Sequence, residues 1–183
     1  MKLEIPIQTP RLILRSLEES DANARYVAWM NDPDVVRFLE ARLSQHDAVS
    51  LRTFIETNNE RLDSLLLGIF LEAGQHIGNI KLGPIDTYHQ HAAVGILIGE
   101  REWWGHGIAS ESIVGLTTYA FDVMGLERLY AGCYAANEGS RRAFLRAGWF
   151  EEGRGKDHWR TDAGREDDLR LGISKRSWRR PAT

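Results

Sequence analysis

The stretch that most constrains the fold is a glycine-rich loop between an apolar strand and an apolar helix. Residues 92–98 form an apolar run, residues 103–111 read WWGHGIASE, and apolar side chains recur over residues 112–124. Glycines let the backbone approach a ligand closely, and the start of a helix leaves amide N–H groups free. Together these features predict an anion site suited to the pyrophosphate of a cofactor.

Three other kinds of loop share part of this pattern. A dinucleotide fingerprint would need Glu127 as the ribose acid, but such a loop turns straight out of its strand, and six residues separate Ile98 from Gly105 here. A phosphate-binding P-loop would need Gly-Lys-Ser/Thr, which does not follow. A plain surface turn before a helix stays open on the loop alone.

A second segment, residues 137–149, reads NEGSRRAFLRAGW. Asn137 or Glu138 can open a helix, Ala143 and Phe144 give it an apolar face, and Gly148 suits the position after its end. The order of motifs is therefore a Gly-x-Gly loop and then, about thirty residues later, Asn-x-x-Ser with an aromatic and a Gly-aromatic pair.

Together with residues 9–15 (TPRLILR) and 29–35 (WMNDPDV), these segments resemble the GNAT superfamily of acetyl-CoA-dependent N-acetyltransferases. The branch that the chain is most similar to contains ribosomal-protein alanine and nucleotide-amino-sugar acetyltransferases. The resemblance implies an α/β (α+β) fold with a mixed, partly antiparallel central sheet flanked by helices. A splayed strand pair in that sheet would hold acetyl-CoA. The length of 183 residues suits one domain over residues 1–183, and the cluster of basic residues near its end predicts a basic, solvated tail over residues 176–183.

The resemblance assigns cofactor contacts to three parts of the chain. The edge of the strand would bind the pantetheine arm, the loop amides would bind the pyrophosphate, and the helix after Asn137 would complete the site. The implied residues are Ile96, Leu97, Ile98, Trp104, Gly105, His106, Gly107, Ile108, Ala109, Ser110, Asn137, Ser140 and Arg142. An amide near Leu97 or Ile98 would polarise the thioester carbonyl. No metal is expected.

Two positions depart from the family pattern. Ala93 stands where members often carry a glutamate base, and Phe144 stands where they often carry a tyrosine acid. An alkyl amine has a pKa near ~10, so a base is useful at neutral pH. Candidate bases are His91 and Glu100, with His76 and His89 as further possibilities. Candidate acids for the departing thiolate are Ser140 and Tyr134.

Two classes of acceptor amine stay open. One is a small molecule, such as a nucleotide-linked amino sugar or a polyamine. The other is a protein N-terminus, which an acidic groove from the early helical region could receive, lined by Glu18, Glu19, Asp21, Asp32, Asp34 and Glu40. The rival from another class is a non-catalytic acyl-CoA-binding module, which the departures at Ala93 and Phe144 motivate. Both a monomer and a homodimer are compatible with the sequence.

Composition limits the partners. A net charge of −3 and the lack of a basic-aromatic pattern argue against a nucleic-acid partner. No apolar run approaches the ~20 residues of a membrane span. The lone cysteine, Cys133, lies in an apolar run and is expected to be a buried structural thiol, which fits a reducing compartment and a cytoplasmic location.

The patterning predicts an alternation of helices and strands. Helices are expected over residues 21–30, from Asp32 with Pro33 at its first position, and through residue 56 after a Ser44–Asp47 capping box. Strands are expected at 12–14, 65–72, 77–85, 128–134, 149–159 and 168–174.

Overall fold

The computed structural model describes residues 1–181, which form eight strands and five α-helices. The strands are β1 (Ile7–Gln8), β2 (Leu12–Ser16), β3 (Leu65–Leu71), β4 (His76–Asp86), β5 (His91–Ile98), β6 (Arg128–Tyr134), β7 (Phe150–Thr161) and β8 (Gly164–Ser174). The helices are α1 (Ala24–Asn31), α2 (Pro33–Val36), α3 (Ala48–Glu60), α4 (Ile108–Asp122) and α5 (Glu138–Arg146). Short 3-10 turns cover Glu19–Asp21, Glu40–Leu43 and Arg101–Trp103.

The strands form one sheet in the order β1-β2-β3-β4-β5-β6-β8-β7. Neighbouring strands run antiparallel except β5 and β6, which are parallel. These two strands pair only from His91 to Ala93, opposite Arg128 to Tyr130. Past Ala93 no ladder joins them within residues 1–181, so they splay apart. The expected mixed, partly antiparallel sheet flanked by helices is confirmed, and most of its strand pairs are antiparallel.

Each face of the sheet carries its own apolar core. On one face, α4 and α5 cover a core that includes the fully buried Trp149. On the other face, α1, α2 and α3 pack over Leu66 and Phe70. Strand β3 reads LLLGIFL because its residues are buried on both sides, which removes the polar positions of a one-sided strand.

Helix α4 begins four residues earlier than the sequence pattern predicts. Gly107 is its N-cap with φ of +79°, a left-handed conformation that glycine adopts without a side-chain clash. The Glu111 N–H then donates to the Gly107 carbonyl at 3.0 Å, which starts the helical ladder. The second half of the glycine loop is therefore the first turn of α4.

Helix α1 begins later than predicted, at Ala24 rather than at residue 21. The Asn23 side chain accepts hydrogen bonds from the N–H groups of Arg25 and Tyr26, which makes Asn23 the N-cap. Asp21 instead forms a partly buried, two-pronged ion pair with Arg15 at 2.8 Å. That pair ties the turn before α1 to β2.

Helix α3 uses a different capping box from the one predicted. Asp47 is its N-cap, and its carboxylate accepts from the Ser50 N–H at 2.8 Å. The Ser50 hydroxyl closes the box by accepting from the Asp47 N–H at 2.9 Å. Ser44 lies outside the helix, where it ends the preceding 3-10 turn.

The segment after β8 is partly packed against the core, whereas a solvated tail was predicted. Trp178 is half-buried and packs edge-on against Phe121 of α4, with ring centroids 6.1 Å apart. The basic side chains on either side of it, Arg176, Arg179 and Arg180, are exposed, as expected for a basic surface. The last two residues of the predicted tail lie outside the described residues.

Candidate active site

The splay leaves one edge of β5 open. Residues 94–98 of β5 pair with β4 on one side, where Gly78 lies opposite Ile98 and Leu82 opposite Val94. On the side of β6, these residues have no ladder partner within residues 1–181. Free backbone groups at a strand edge bind extended chains by adding a strand. This is the segment to which the family resemblance assigns the pantetheine arm, through Ile96, Leu97 and Ile98.

The glycine loop lies at the end of that open edge. The Trp104 indole N–H donates to the Ile98 carbonyl at 2.9 Å, which fastens the loop to β5. The N–H groups of residues 107–110 precede the first α-helical hydrogen bond of α4, so they are available to an anion. Gly105 also has a positive φ, +79°, and a Cβ added there would meet no atom within 4 Å.

A residue that sequence reasoning missed holds this loop in place. Arg11 donates to the His106 carbonyl at 3.1 Å and pairs with Glu111 at 2.7 Å. The Thr9 hydroxyl donates to the same carboxylate at 2.6 Å. The loop and the first turn of α4 are thus braced by the chain before β2. No local pattern marks this contact, because its partners are about a hundred residues apart.

Across the splay, α5 presents the third predicted part of the cofactor site. The Asn137 carboxamide oxygen accepts from the Ser140 N–H at 3.1 Å, so Asn137 is the N-cap of α5. Ser140 is half-buried next to Cys133. Arg142 is exposed, with its Nε donating to the Glu138 carbonyl at 3.2 Å. Phe144 is buried against Trp149, with ring centroids 4.7 Å apart.

Cys133 is the buried thiol that the sequence predicts. Burial raises the pKa of Cys133 to about 11, so the thiol stays protonated at neutral pH. A protonated thiol is a poor nucleophile, which leaves this cysteine unsuited to carry an acyl group.

Tyr134, at the splayed end of β6, faces a carboxylate. Its hydroxyl donates to Glu40 at 2.6 Å, and its ring stacks on Trp159 with centroids 5.0 Å apart. Burial, followed by the hydrogen bond to Glu40, raises the pKa of Tyr134, so the phenol keeps its proton at neutral pH. The same hydrogen bond lowers the pKa of Glu40, which stays ionised. Arg42 adds a second hydrogen bond to Glu40 at 3.1 Å.

A cavity of about 520 Å³ opens beside β5, on the sheet face covered by α1 and α3. Gly95 lies in its floor, and Glu40 stands at one side of it. The lining is mostly apolar: Tyr26, Met30, Leu39, Ala41, Leu51, Phe54, Leu66, Ile96 and Leu97. Neither Trp103 nor Trp104 lines this cavity. Because Gly95, Ile96 and Leu97 line it, the cavity meets the open edge of β5.

The two candidate bases lie away from this junction or are engaged elsewhere. His91 is the first residue of β5, in the paired part opposite Arg128. Six residues at about 3.3 Å each put it roughly 20 Å from Leu97. Glu100 accepts from the Trp29 indole at 3.1 Å and pairs with Arg25 at 3.4 Å.

The other two histidines also have local partners. His89 stacks on His91, with ring centroids 5.9 Å apart. His76 is buried among Tyr26, Trp29 and Phe70, behind the cavity.

The early acidic residues do not form one groove. Asp21 pairs with Arg15, and Asp34 pairs with Arg101 at 2.7 Å. Glu18 and Glu19 line a separate depression beside α3. Glu40 alone among the six lines the cavity beside β5.

A comparison of the sequence with known protein families agrees with this geometry. Residues 11–149 match the model of the acetyltransferase (GNAT) domain family. The chain belongs to the GNAT acetyltransferase family. Its expected activity class, an acetyl-CoA-dependent N-acetyltransferase, is thereby confirmed, with acetyl-CoA as the acyl-donor cosubstrate.

Relatives of this acetyltransferase cover most of its length. It is 34% identical over 151 residues to the uncharacterised N-acetyltransferase YoaA of Bacillus subtilis, covering 80% of this chain and 84% of that one. A spermidine N-acetyltransferase from Vibrio cholerae with CoA and spermine has a similar fold, with TM-score 0.80, 20% identity, and 91% and 96% coverage. RimJ of Mycobacterium smegmatis with CoA-disulfide gives TM-score 0.80, 20% identity, and 93% and 86% coverage.

Over residues 1–181 of this acetyltransferase, helices long and apolar enough to cross a membrane are absent.

Proposed function

We propose that this acetyltransferase transfers acetyl directly from acetyl-CoA to the primary amine of a small, largely apolar acceptor. The observation that carries the proposal is the junction at Gly95, where a cavity with an apolar lining meets the unpaired edge of β5. A thioester along that edge and an amine in the cavity would lie within attacking distance, and such positioning supplies much of the catalysis in a ternary complex. The chain is proposed to be one catalytic domain.

The cofactor contacts follow the free backbone groups. The free amides of Gly107, Ile108, Ala109 and Ser110 would hold the pyrophosphate, with Gly105 letting it approach closely and Arg142 adding a cation. The Trp104 and His106 N–H groups donate to the Arg101 and Trp103 carbonyls at 3.0 and 3.4 Å, so their predicted backbone contacts are not part of this set. Residues 96–98 would bind the pantetheine arm, and an amide near Leu97 or Ile98 would polarise the carbonyl. Asn137 would reach the arm with its amide nitrogen, since its oxygen caps α5.

The role of holding the acceptor amine goes to Glu40, and the role of general acid goes to Tyr134. An ionised Glu40 beside the cavity would attract the acceptor ammonium, and about one alkyl amine in a thousand is neutral at pH 7. Tyr134 keeps a proton that it could give to the departing thiolate. Ser140, at the start of α5, is the second candidate acid. His91 and Glu100 are not given a role, because of their distance and their other partners.

The cavity favours a small apolar amine over the other acceptor classes. A polyamine carries several cations, whereas Glu40 is the one carboxylate that lines this cavity. A protein N-terminus would need an open acidic groove, and the early acidic residues are dispersed.

Thiol release from acetyl-CoA, measured over a panel of amines, tests this proposal. The panel contains small apolar amines, spermidine, nucleotide-linked amino sugars and peptides with N-terminal Ala or Ser. Turnover of small apolar amines above the other classes is expected. Turnover restricted to peptides or polyamines would contradict the acceptor class. Saturable acetyl-CoA binding without turnover of any amine would favour the non-catalytic binding module.

Tyr134→Phe is expected to lower kcat by about a hundredfold, because general acid catalysis contributes at least that much when the proton is well placed. The dissociation constant for acetyl-CoA should stay within twofold of the wild-type value. Tyr119→Phe is a matched control, since Tyr119 lies on α4 and lines no part of the cavity. An unchanged kcat in Tyr134→Phe, with a loss in Ser140→Ala, would move the acid role to Ser140.

A further inference from the structure

Two polar side chains of β4 face the same cavity. Asn79 and Lys81 are two residues apart on one strand, so they project from one face of the sheet. Asn79 lies opposite Leu97, and Lys81 lies opposite Gly95, so both stand one strand away from the open edge of β5. Both line the cavity, among mostly apolar neighbours.

In the described part of the chain, Lys81 is a cation without an ion-pair partner, since Glu40, the carboxylate in the cavity lining, is bonded to Tyr134 and Arg42 instead. Within residues 1–181 no acidic side chain lies within 4.0 Å of its ammonium group. Asp63 is the acidic group that acts on it from a longer distance, and Asp63 is paired with Arg61 at 2.8 Å. Burial, followed by the positive charge of Arg61, lowers the pKa of Lys81. An anion bound in the cavity would compensate the Lys81 ammonium group for the hydration that it loses on burial.

Asn79 is one of the residues that line the cavity, and its contact with His76 fixes which of its amide atoms accepts and which is left to donate. The His76 Nε2 lies 3.0 Å from the Gly78 carbonyl and 2.8 Å from the Asn79 Oδ1. Because a carbonyl only accepts, Nε2 carries the hydrogen, and the Asn79 oxygen accepts as well. The Asn79 Nδ2 is then left as a buried donor with no acceptor within residues 1–181.

Two further facts support this arrangement. Asn79 is 7% exposed and His76 is 6% exposed, so both side chains are held by the protein core and not by contacts with solvent. Burial lowers the pKa of His76, which keeps the imidazole neutral with one hydrogen. Tyr26 adds a third donor to the cavity, since burial raises the pKa of its phenol to about 12.

A buried donor without an acceptor is rare in folded proteins, and the residue that carries this one lines the same cavity as Lys81. We propose that the acceptor amine also carries an anionic group, a carboxylate or a phosphate, which Lys81 and Asn79 bind at the β4 side of the cavity. The amine of that acceptor would point toward Glu40 and the open edge of β5. This inference rests on the proposed function and adds the second charge of the acceptor to it.

The geometry sets a rough length for such an acceptor. Adjacent strands are about 4.8 Å apart, so a pantetheine arm beside β5 would run roughly 10 Å from the backbone of β4. The lysine side chain spans part of that distance. An apolar amino acid, or a short apolar amine with a phosphonate, would therefore reach from the thioester to Lys81.

The test compares acceptors that differ in the charge of a second group, with each kcat/KM expressed per neutral amine because that group also shifts the pKa of the amine. Phenylalanine, its carboxamide, phenethylamine and the matching aminophosphonate share an apolar body and a primary amine. In the wild-type enzyme, kcat/KM for phenylalanine is expected to exceed that for the carboxamide by about tenfold or more, the size of a charge-assisted hydrogen bond. Preference for the phosphonate over the carboxylate would identify phosphate as the anion.

Lys81→Met keeps the apolar stem and removes the charge. It should abolish the preference for the anionic acceptor and leave kcat/KM for phenethylamine within twofold. Lys81→Arg should retain most of the preference. Equal kcat/KM for the charged and neutral acceptors in both wild-type and Lys81→Met protein would overturn the inference while leaving the proposed function intact.

A binding measurement separates this inference from the proposed function. Calorimetric titration of phenylalanine and its carboxamide into protein saturated with CoA requires no turnover. Tighter binding of the carboxylate that is lost in Lys81→Met would support the inference even if no amine were acetylated. Binding that is equal for both compounds, or unaffected by Lys81→Met, would overturn it.

Discussion

Gly95→Val is expected to lower kcat/KM for the acceptor amine by about a hundredfold, in a protein that folds as well as the wild type. A displacement of about 1 Å in the reacting groups is enough for such a loss. The added side chain would enter the cavity that Gly95 lines, and a Cβ built there meets no protein atom within 4 Å. Valine also suits a strand better than glycine, so β5 should persist.

Gly153→Val is the matched control for this substitution. Gly153 also lies in a strand, β7, and a Cβ added there likewise meets nothing within 4 Å. The control should keep wild-type kcat/KM, and both variants should bind acetyl-CoA with affinities near that of the wild type. Full activity in Gly95→Val would show that the amine does not use this cavity, whereas equal losses in both variants would point to a general effect on the sheet.

Gly107→Val should weaken acetyl-CoA binding by about a hundredfold. Gly107 has φ of +79°, and a β-branched residue is strongly disfavoured there, so the backbone must move. That movement would displace the free amides at the start of α4. Losing two hydrogen bonds to a charged phosphate, at about 1.5 kcal/mol each, amounts to roughly two powers of ten in the dissociation constant.

The opposite end of α4 offers a control with the same backbone strain. Gly125 has φ of +70°, and a Cβ added there meets nothing within 4 Å. Gly125→Val should lower the melting temperature about as much as Gly107→Val does, with little change in acetyl-CoA affinity. Equal losses of affinity in both variants would mean that stability, rather than the loop amides, governs cofactor binding.

The parts of the molecule that local patterns encode could be predicted from the sequence. Strand β5, the glycine loop and the helix after Asn137 each combine an apolar period with a glycine or a capping residue, and all three are present. The ends of the helices were predicted less accurately. Helix α1 begins at Ala24 and not at residue 21, because Asn23 caps it.

The contacts that build the acceptor side could not be predicted in this way. Glu40 and Tyr134 are 94 residues apart in sequence, and packing alone brings the carboxylate to the hydroxyl. Asn79 and Lys81 looked like the ordinary polar positions of a strand, because their free donors become apparent only once the cavity is formed. Sequence periodicity indicates which face a residue occupies but not what lies above that face.

The departures at Ala93 and Phe144 are consistent with a site in which the carboxylate and the hydroxyl come from other residues. Phe144 is buried in the core against Trp149, so this position supplies no hydroxyl to the site. Ala93 shares the cavity side of β5 with Gly95, which leaves space where other members carry a long side chain. In the proposed mechanism, Glu40 would supply the carboxylate and Tyr134 the phenol that those two positions lack.

Initial-rate kinetics with both substrates varied test the central claim, direct transfer in a ternary complex at the junction of β5 and the cavity. Double-reciprocal plots against the amine, drawn at several acetyl-CoA concentrations, should give lines that intersect. The protonated, buried Cys133 agrees with that expectation, because it is unsuited to carry an acetyl group. Parallel lines would indicate an acyl-enzyme and would contradict direct transfer.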